Sequence, residues 1–531
     1  KERADRQYAT PGENIFERGS IFFKSRDGLL VNAATNLLGF KIAINPKEIR
    51  DSDKTYQLLN LIVKIDRDSY NVKVEKKSDP YEEIANRISR EDADEIRKLK
   101  ISGVYVYKEK WRFYPGNNLA SQSIGLLGYK ENDYAGRYGL EKYYNDILAQ
   151  TQQSLYVNFF AEVFSSISDN IFKNEKKDGN IVTTIEPSVQ GFLENQLDSV
   201  KSKWRAESVS GIIINPKDGA IYALGTVPNF NINESSNASD VKIFSNPLVE
   251  NVFEPGSIIK PLTIAAGLDA GVINIESSYN DAGYIVVGDK KIENFDKKGR
   301  GTVKIQEILN QSLNTGAVYV MQKLGRQSFK EYMLNFGLAD KTGIDLPNEA
   351  KSLVSNLNTN RDLEFATASF GQGIALTAMG AVRAFSSIAN GGYLITPHLV
   401  SEIDYSDGDK KIIEYPVEGP VLKKETTEQI SRMLIEVMDK GLLNGKYMID
   451  GYSVAAKTGT AQIAKDDGSG YYEDKHLHSF FGYFPAYDPQ FLVLLYISDP
   501  KDVKFAIQTL MDPFLNIAKF LINYYDVPPD R

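Results

Sequence analysis

Pro261 is the most constraining residue in the stretch FEPGSIIKPLTIAAGL, residues 253–268. Proline is tolerated only in the first turn of a helix, because deeper inside it removes a backbone donor and its ring clashes with the preceding turn. Around it, Ile258, Ile259, Leu262, Ile264, Ala265, Ala266 and Leu268 are apolar on nearly every side, the mark of a buried helix. That helix must therefore begin near Ser257. The same run also carries Lys260, where desolvating an ammonium is costly.

A spacing of three puts Ser257 and Lys260 on one helical face. The hydroxyl then lies at the positive end of the helix dipole, where a developing oxyanion is favoured. Desolvation lowers the pKa of Lys260 and lets it act as a neutral base towards that hydroxyl. A snorkelling lysine beside a capping serine is the bland alternative, and this stretch alone leaves it open. The spacing itself is common: Ser239–Lys242 and Ser498–Lys501 share it in polar surroundings.

Two further patterns follow along the chain. Ser312-Leu313-Asn314 breaks two helical patterns in NQSLNTGAVYVMQKLG, and its bland reading is a capping turn. Ser-x-Asn also occurs at 69–71 and 278–280. Lys457-Thr458-Gly459-Thr460 sits in an apolar strand pattern, VAAKTGTAQI, whereas the Lys-Thr-Gly at 341–343 reads as a loop. Glycine weakens a strand interior unless something approaches the backbone closely. A peptide laid along a sheet edge would do so. Alternation sends Lys457 and Thr458 to opposite faces, so both serve one site only in a cleft at the strand's edge.

The remaining texture sets the frame. With 531 residues, the chain exceeds one typical hydrophobic core, so two or more domains are expected. A formal net charge of −8 argues against nucleic acid as the main partner. Without cysteine, disulfides and thiolate metal sites are excluded. A hairpin is expected around Arg26-Asp27-Gly28, a solvated helix over 81–99, a polar break at 174–180 and an amphipathic helix over 186–204. Residues 210–225 read as a hairpin around Pro216–Gly219, and helices dominate from 256 to 390. Strands are expected at 451–464, 479–486 and 490–498, then a final amphipathic helix that Pro513 kinks or restarts. Helices between two sets of strands suggest one α+β domain whose sheet joins distant parts of the chain. His476 and His478, near Asp474, read as incidental histidines of a polar loop rather than metal ligands.

Ser-x-x-Lys, Ser-x-Asn and Lys-Thr-Gly, in that order, are the set found in penicillin-binding proteins and serine β-lactamases. The chain resembles that family from about residue 205 to the end. ERGSIFF (17–23), RFYPGNNLASQSIGLLGY (112–129) and GRYGLEKYY (136–144) resemble the pedestal of class B penicillin-binding proteins. FEPGSIIKP, ASFGQGIALT (368–377) and SFFGYFPAYDP are closer to the division type than to the elongation type. The resemblance places no family feature on Ser52–Ser102 or on the helix-like 154–172.

The resemblance implies an α+β fold. A penicillin-recognising serine transpeptidase domain, an antiparallel sheet flanked by helices, would occupy 201–531, and an elongated mixed α/β pedestal 1–200. It implies D,D-transpeptidation of peptidoglycan stem peptides, with β-lactams acylating Ser257 as substrate mimics. Lys260 would be the base and Ser312 the proton relay, and the Ser257 and Thr460 N–H groups would form the oxyanion hole. Asn314, Lys457, Thr458 and Gly459 would bind substrate, and Phe370–Gly373 would form a loop near the cleft rather than an ordinary turn. No cofactor or metal is required by this chemistry. A membrane-embedded glycan polymerase and divisome or elongation proteins are the implied partners. The chain begins at Lys1 and has no apolar run of about 18 residues, which by itself fits a removed anchor or a soluble protein with a trimmed start. The resemblance implies the extracytoplasmic face of the bacterial cell membrane, through an N-terminal anchor absent from this chain. A β-lactamase, a D,D-carboxypeptidase and a non-enzymatic β-lactam sensor or scaffold are the rival readings.

Overall fold

The computed structural model describes residues 17–130, 133–149, 177–237, 240–442, 445–465 and 470–531. The helix-like stretch 154–172 and Ser239 lie outside the described residues. Two compact units are present. The first is built mainly from Asn32–Pro115, and the second from Phe22–Val31, Gly116–Asn145 and Ile181–Arg531.

In the first unit a long strand, β1 (Leu30–Ile44), is followed by helices α1 (Ser52–Asn60) and α2 (Arg67–Val74). Then come β2 (Glu82–Ile88), α3 (Arg90–Lys98) and β3 (Val104–Phe113). β1 pairs antiparallel with β3 from Thr35↔Phe113 to Ile44↔Val104, and with β2 from Phe40↔Ile88 to Ile44↔Glu82. Each helix is capped by a side chain: Asp51 accepts from the Lys54 N–H, Asp66 from Ser69 and Ser89 from Asp92. Such caps stabilise by about 1 kcal/mol each. The helices and sheet close over Ile42, Ile44, Leu59, Tyr70, Val74, Ile88 and Ile96. The helix expected over 81–99 is thus a strand followed by a helix. Residues 82–88 carry the charges of a solvated helix, but their pairing with β1 is non-local and decides the outcome.

The second unit is a three-layer α/β/α structure. Its elements are α4 (Pro187–Trp204), β4 (Ser208–Ile214) and β5 (Ile221–Val227), the helices α5 (Lys260–Asp269), α6 (Asn314–Leu324), α7 (Ala378–Ala389) and α8 (Lys424–Glu436), then β10 (Ala455–Ala464), β11 (Tyr471–Phe484), β12 (Phe491–Ser498) and α9 (Ala506–Tyr524). Between α5 and α6 lie four short strands, β6 (Ser278–Asp281), β7 (Tyr284–Val287), β8 (Lys290–Glu293) and β9 (Gly301–Lys304). The main sheet is antiparallel, in the order β10-β11-β12-β4-β5. β12 joins β4 by the register Leu492↔Ile214 to Ser498↔Ser208, so the sheet unites distant parts of the chain.

Consecutive side chains of β11 show the layering. Phe481 stacks on Phe385 of α7 with ring centroids 4.2 Å apart, while Phe480 packs on Phe514 of α9 at 4.5 Å. On the α9 side, Phe192 of α4 and Phe520 lie parallel at 4.1 Å. Because helices cover both faces, β12 is apolar throughout, FLVLLYI, rather than alternating. α9 runs unbroken from Ala506 to Tyr524 with Pro513 inside it. The segment carrying His476 and His478 belongs to β11, so the polar loop expected there is a strand. Among the described residues, no helix is long and apolar enough to cross a membrane.

Candidate active site

The Ser-x-x-Lys stretch folds as Pro261 requires. A tight turn, Gly256–Ile259, carries Ser257 and runs directly into α5, with Pro261 in the helix's first turn. Every residue from Lys260 to Leu268 is buried, so α5 is the central helix of its layer. Burying each of its Leu and Ile side chains contributes roughly 1.5–3 kcal/mol. Ser257 keeps partial exposure at the end of this helix. The turn is braced by Phe370–Gly373. The Gly256 N–H donates to the Gly371 carbonyl at 3.0 Å, and Gly371, at φ +86°, leaves no room for a Cβ, which would lie 2.1 Å from the Gly256 carbonyl oxygen. Glu254, which the motif gives no reason to single out, accepts from the Gly373 N–H at 3.1 Å and from the Tyr471 hydroxyl at 2.9 Å.

Lys260 is fully buried, and its amine reaches into the second motif. Its Nζ donates to the Ser312 carbonyl at 2.6 Å, to Asn314 Oδ1 at 2.8 Å and to Ser312 Oγ at 3.2 Å. From the other side Lys457 Nζ donates to the same Ser312 Oγ at 3.1 Å and to its neighbour's carbonyl, Thr458 O, at 2.9 Å. Two buried lysines therefore share one hydroxyl. Burial pushes the Lys260 amine well below the ordinary lysine range, and the Lys457 charge pushes it further the same way. Burial brings Lys457 down to about 7. Both amines are thus held where a proton is easily lost.

Ser312 itself adopts a left-handed backbone, φ +54°, which a non-glycine residue takes only when its surroundings enforce it. Asn314 opens α6, with its side-chain amide pinned at both ends. Oδ1 accepts from Lys260, and Nδ2 donates to the Glu293 carbonyl at 3.0 Å.

The Lys-Thr-Gly motif lies on β10, the edge strand of the main sheet, which is the geometry that lets alternating residues serve one cleft. Lys457 is buried towards Ser312, while Thr458 and Thr460 keep partial exposure. The Thr460 hydroxyl accepts from the Ala506 N–H at the head of α9, at 3.3 Å. Gly459 has a reason the sequence did not disclose. A Cβ there would lie 2.4 Å from Ser479 Oγ, 2.9 Å from the Pro255 carbonyl and 3.1 Å from Ile258. The close approach comes from Ser479 of the paired strand β11 and from the residues around Ser257, so Gly459 lets the serine-bearing turn sit close against the edge strand. Gly459→Ala is expected to cost about 1–3 kcal/mol through overpacking, read as a lowered denaturant midpoint; an unchanged midpoint would refute this packing.

The competing copies of each motif lie elsewhere. Thr342 is held in a loop by Glu349, through both its N–H and its hydroxyl at 2.6 Å. Ser69 and Asn71 lie within α2, and Ser278 and Asn280 on β6. His478 is buried, bonded through Nδ1 to the Thr509 hydroxyl at 3.0 Å, and burial lowers it to about 4. Among the described residues, no group of three or more His, Asp or Glu could hold a metal ion.

With this geometry in view, the family described as penicillin-binding protein transpeptidase domain matches residues 209–516. The chain is a class B penicillin-binding protein. The penicillin-binding protein dimerisation domain matches residues 16–184, a span that includes Ser52–Ser102. Stage V sporulation protein D of Bacillus subtilis is 31% identical over 498 residues, covering 91% of this chain and 74% of that protein. Peptidoglycan D,D-transpeptidase FtsI of Escherichia coli is 26% identical over 501 residues, covering 92% and 80%. The crystal structure of penicillin-binding protein 2X from Streptococcus thermophilus shares the fold with a TM-score of 0.77 at 22% identity, covering 97% of this chain and 81% of that one. This penicillin-binding protein is accordingly a serine-type peptidoglycan D,D-transpeptidase.

Proposed function

We propose that Ser257 is the nucleophile through which this penicillin-binding protein cross-links stem peptides, with Lys260 as its base. The observation that carries the reading is the convergence of two fully buried lysines on Ser312 Oγ, at 3.2 and 3.1 Å, beside the helix start that presents Ser257. Neutral Lys260 takes the Ser257 proton, and Oγ attacks the carbonyl between two terminal D-alanines. The N–H groups of Ser257 and Thr460 stabilise the resulting oxyanion, at a few kcal/mol per donor. Ser312 relays a proton to the departing D-alanine nitrogen as the C–N bond breaks. The amine of a second stem peptide then attacks the ester and returns the proton to Ser257.

The remaining residues hold the donor strand. Thr458 and Thr460 hydroxyls, in the field of Lys457, receive the terminal carboxylate. Asn314 keeps one amide hydrogen for the acyl-side carbonyl, since its other bonds are taken by Lys260 and Glu293. Gly459 completes the edge against which the peptide lies. β-Lactams acylate Ser257 in place of the donor.

We assign the chain to the division type, acting at the extracytoplasmic face of the cell membrane, alongside a membrane-embedded glycan polymerase. The stretches FEPGSIIKP and ASFGQGIALT support that role. A role in spore formation is the second reading, favoured by the 31% identity to a sporulation protein. A fluorescently tagged chain in its native cell should gather at the division septum during growth; recruitment only during sporulation would favour the second reading. The enzymatic test supplies a stem peptide ending in D-Ala-D-Ala together with a D-amino acid. Exchange of the terminal residue for the added amine is expected. Hydrolysis alone would make the protein a carboxypeptidase.

A further inference from the structure

Besides the motif lysines Lys260 and Lys457, the Ser312–Asn314 turn is flanked by contacts from residues that belong to none of the three motifs. The strained Ser312 backbone must be stabilised by its neighbours, because a left-handed non-glycine residue costs roughly 1–3 kcal/mol. Ser312 itself is bonded by Lys260 and Lys457, and the residues around it, Gln311, Asn314 and Thr315, are held by the β6–β9 segment. On one side of the turn, Arg300 Nε donates to Gln311 Oε1 at 3.0 Å. On the other, Thr315 is gripped through both its groups: its N–H donates to Asn294 Oδ1 at 3.3 Å, and its hydroxyl donates to Asp281 Oδ1 at 2.8 Å, with Asn294 Oδ1 and the Tyr279 hydroxyl also within 3.3 and 3.4 Å. Between them the Glu293 carbonyl, adjacent to Asn294, receives the Asn314 amide.

Asp281 is the centre of this grip. It is 1% exposed, and Asn294 and Thr315 are 2% and 4% exposed. A carboxylate that deep is sustained only by a full set of donors. Here they are the Gly283 N–H at 2.9 Å, the Arg300 N–H at 3.1 Å, Asn294 Nδ2 at 2.9 and 3.1 Å, and the Thr315 hydroxyl. All but one of these donors lie in the β6–β9 segment itself. The exception, Thr315, directly follows Asn314.

We infer that Asp281, Asn294 and Thr315 form a positioning clamp that holds the Ser312–Asn314 turn on Lys260 and so sets the acylation rate. None of the three touches the reacting atoms. Their effect is to fix the Asn314 amide and the Ser312 hydroxyl within hydrogen-bond reach of the base, where a displacement of about 1 Å costs up to ~100-fold in rate. This inference rests on the reading of Ser257 as the acylated residue.

The test separates binding from chemistry in the stopped-flow reaction with a fluorescent penicillin. Thr315→Val keeps the shape and removes the hydroxyl, and Thr315→Ser restores it. Asp281→Asn gives a second variant of nearly unchanged volume should Thr315→Val not fold. The acylation rate constant is expected to fall about 10- to 100-fold in Thr315→Val and Asp281→Asn, with little change in the preceding binding constant. Thr315→Ser should recover to within about threefold of the original rate. Wild-type acylation rates in folded Thr315→Val or Asp281→Asn would overturn the clamp, as would Thr315→Ser being as slow as Thr315→Val. A native protein that is not acylated at Ser257 would instead refute the reading beneath it.

Discussion

Ser257→Ala is expected to abolish covalent labelling by a fluorescent penicillin while leaving the protein folded. The side chain is small and partly exposed at the head of α5, so its loss opens no core cavity and the fold should survive. Without Oγ no ester forms, and the loss of rate is on the order of a million-fold, as for other serine acyl-enzymes stripped of their nucleophile. In a labelling gel this reads as a missing band. Ser498, at the end of β12 with the same spacing to a lysine, should take no label in either protein. A band surviving the substitution would dismiss the assignment of Ser257.

Lys260→Met should also be strongly damaging, for a different reason. The methionine fills the buried space but cannot accept a proton, and the carbonyl of Ser312 and Oδ1 of Asn314 lose their donor. Loss of a general base predicts an acylation rate lower by about 10²- to 10⁴-fold. The native enzyme adds a pH signature. In the proposed mechanism only neutral Lys260 serves as base, so acylation is expected to rise with pH as the amine loses its proton. Burial, aided by the Lys457 charge, brings that rise below the ordinary lysine range. Removing the cation in Lys457→Met takes away the second of these causes, so the rise should move to higher pH. A profile that stays in place, or moves towards acid, would separate Lys457 from the titration of Lys260.

Much of this site was readable along the chain because it rests on local rules. Pro261 located the helix start, and the apolar residues around it predicted a buried Lys260. The strand pattern around Lys457 and the hairpin at 210–225 gave the two ends of one sheet. What escaped depends on contacts between distant residues. Glu82–Ile88 carries a helix-like charge pattern, yet pairing with β1 makes it a strand. Gly459 signalled a close approach but not that the approaching groups are the Ser479 hydroxyl and the Pro255 carbonyl. Asp281 and Asn294 lie 34 and 21 residues before Thr315, in short hairpins with no pattern of their own, and only folding shows what they hold.

The central claim is most directly tested by mass spectrometry of the native protein after exposure to benzylpenicillin, with the adduct mapped to its peptide and followed over time. One adduct per chain is predicted, on the peptide carrying Ser257, persisting long after free drug is removed. An adduct on another serine would contradict the site. A Ser257 adduct that clears rapidly, with the drug hydrolysed in many turnovers, would contradict the transpeptidase and make the protein a β-lactamase.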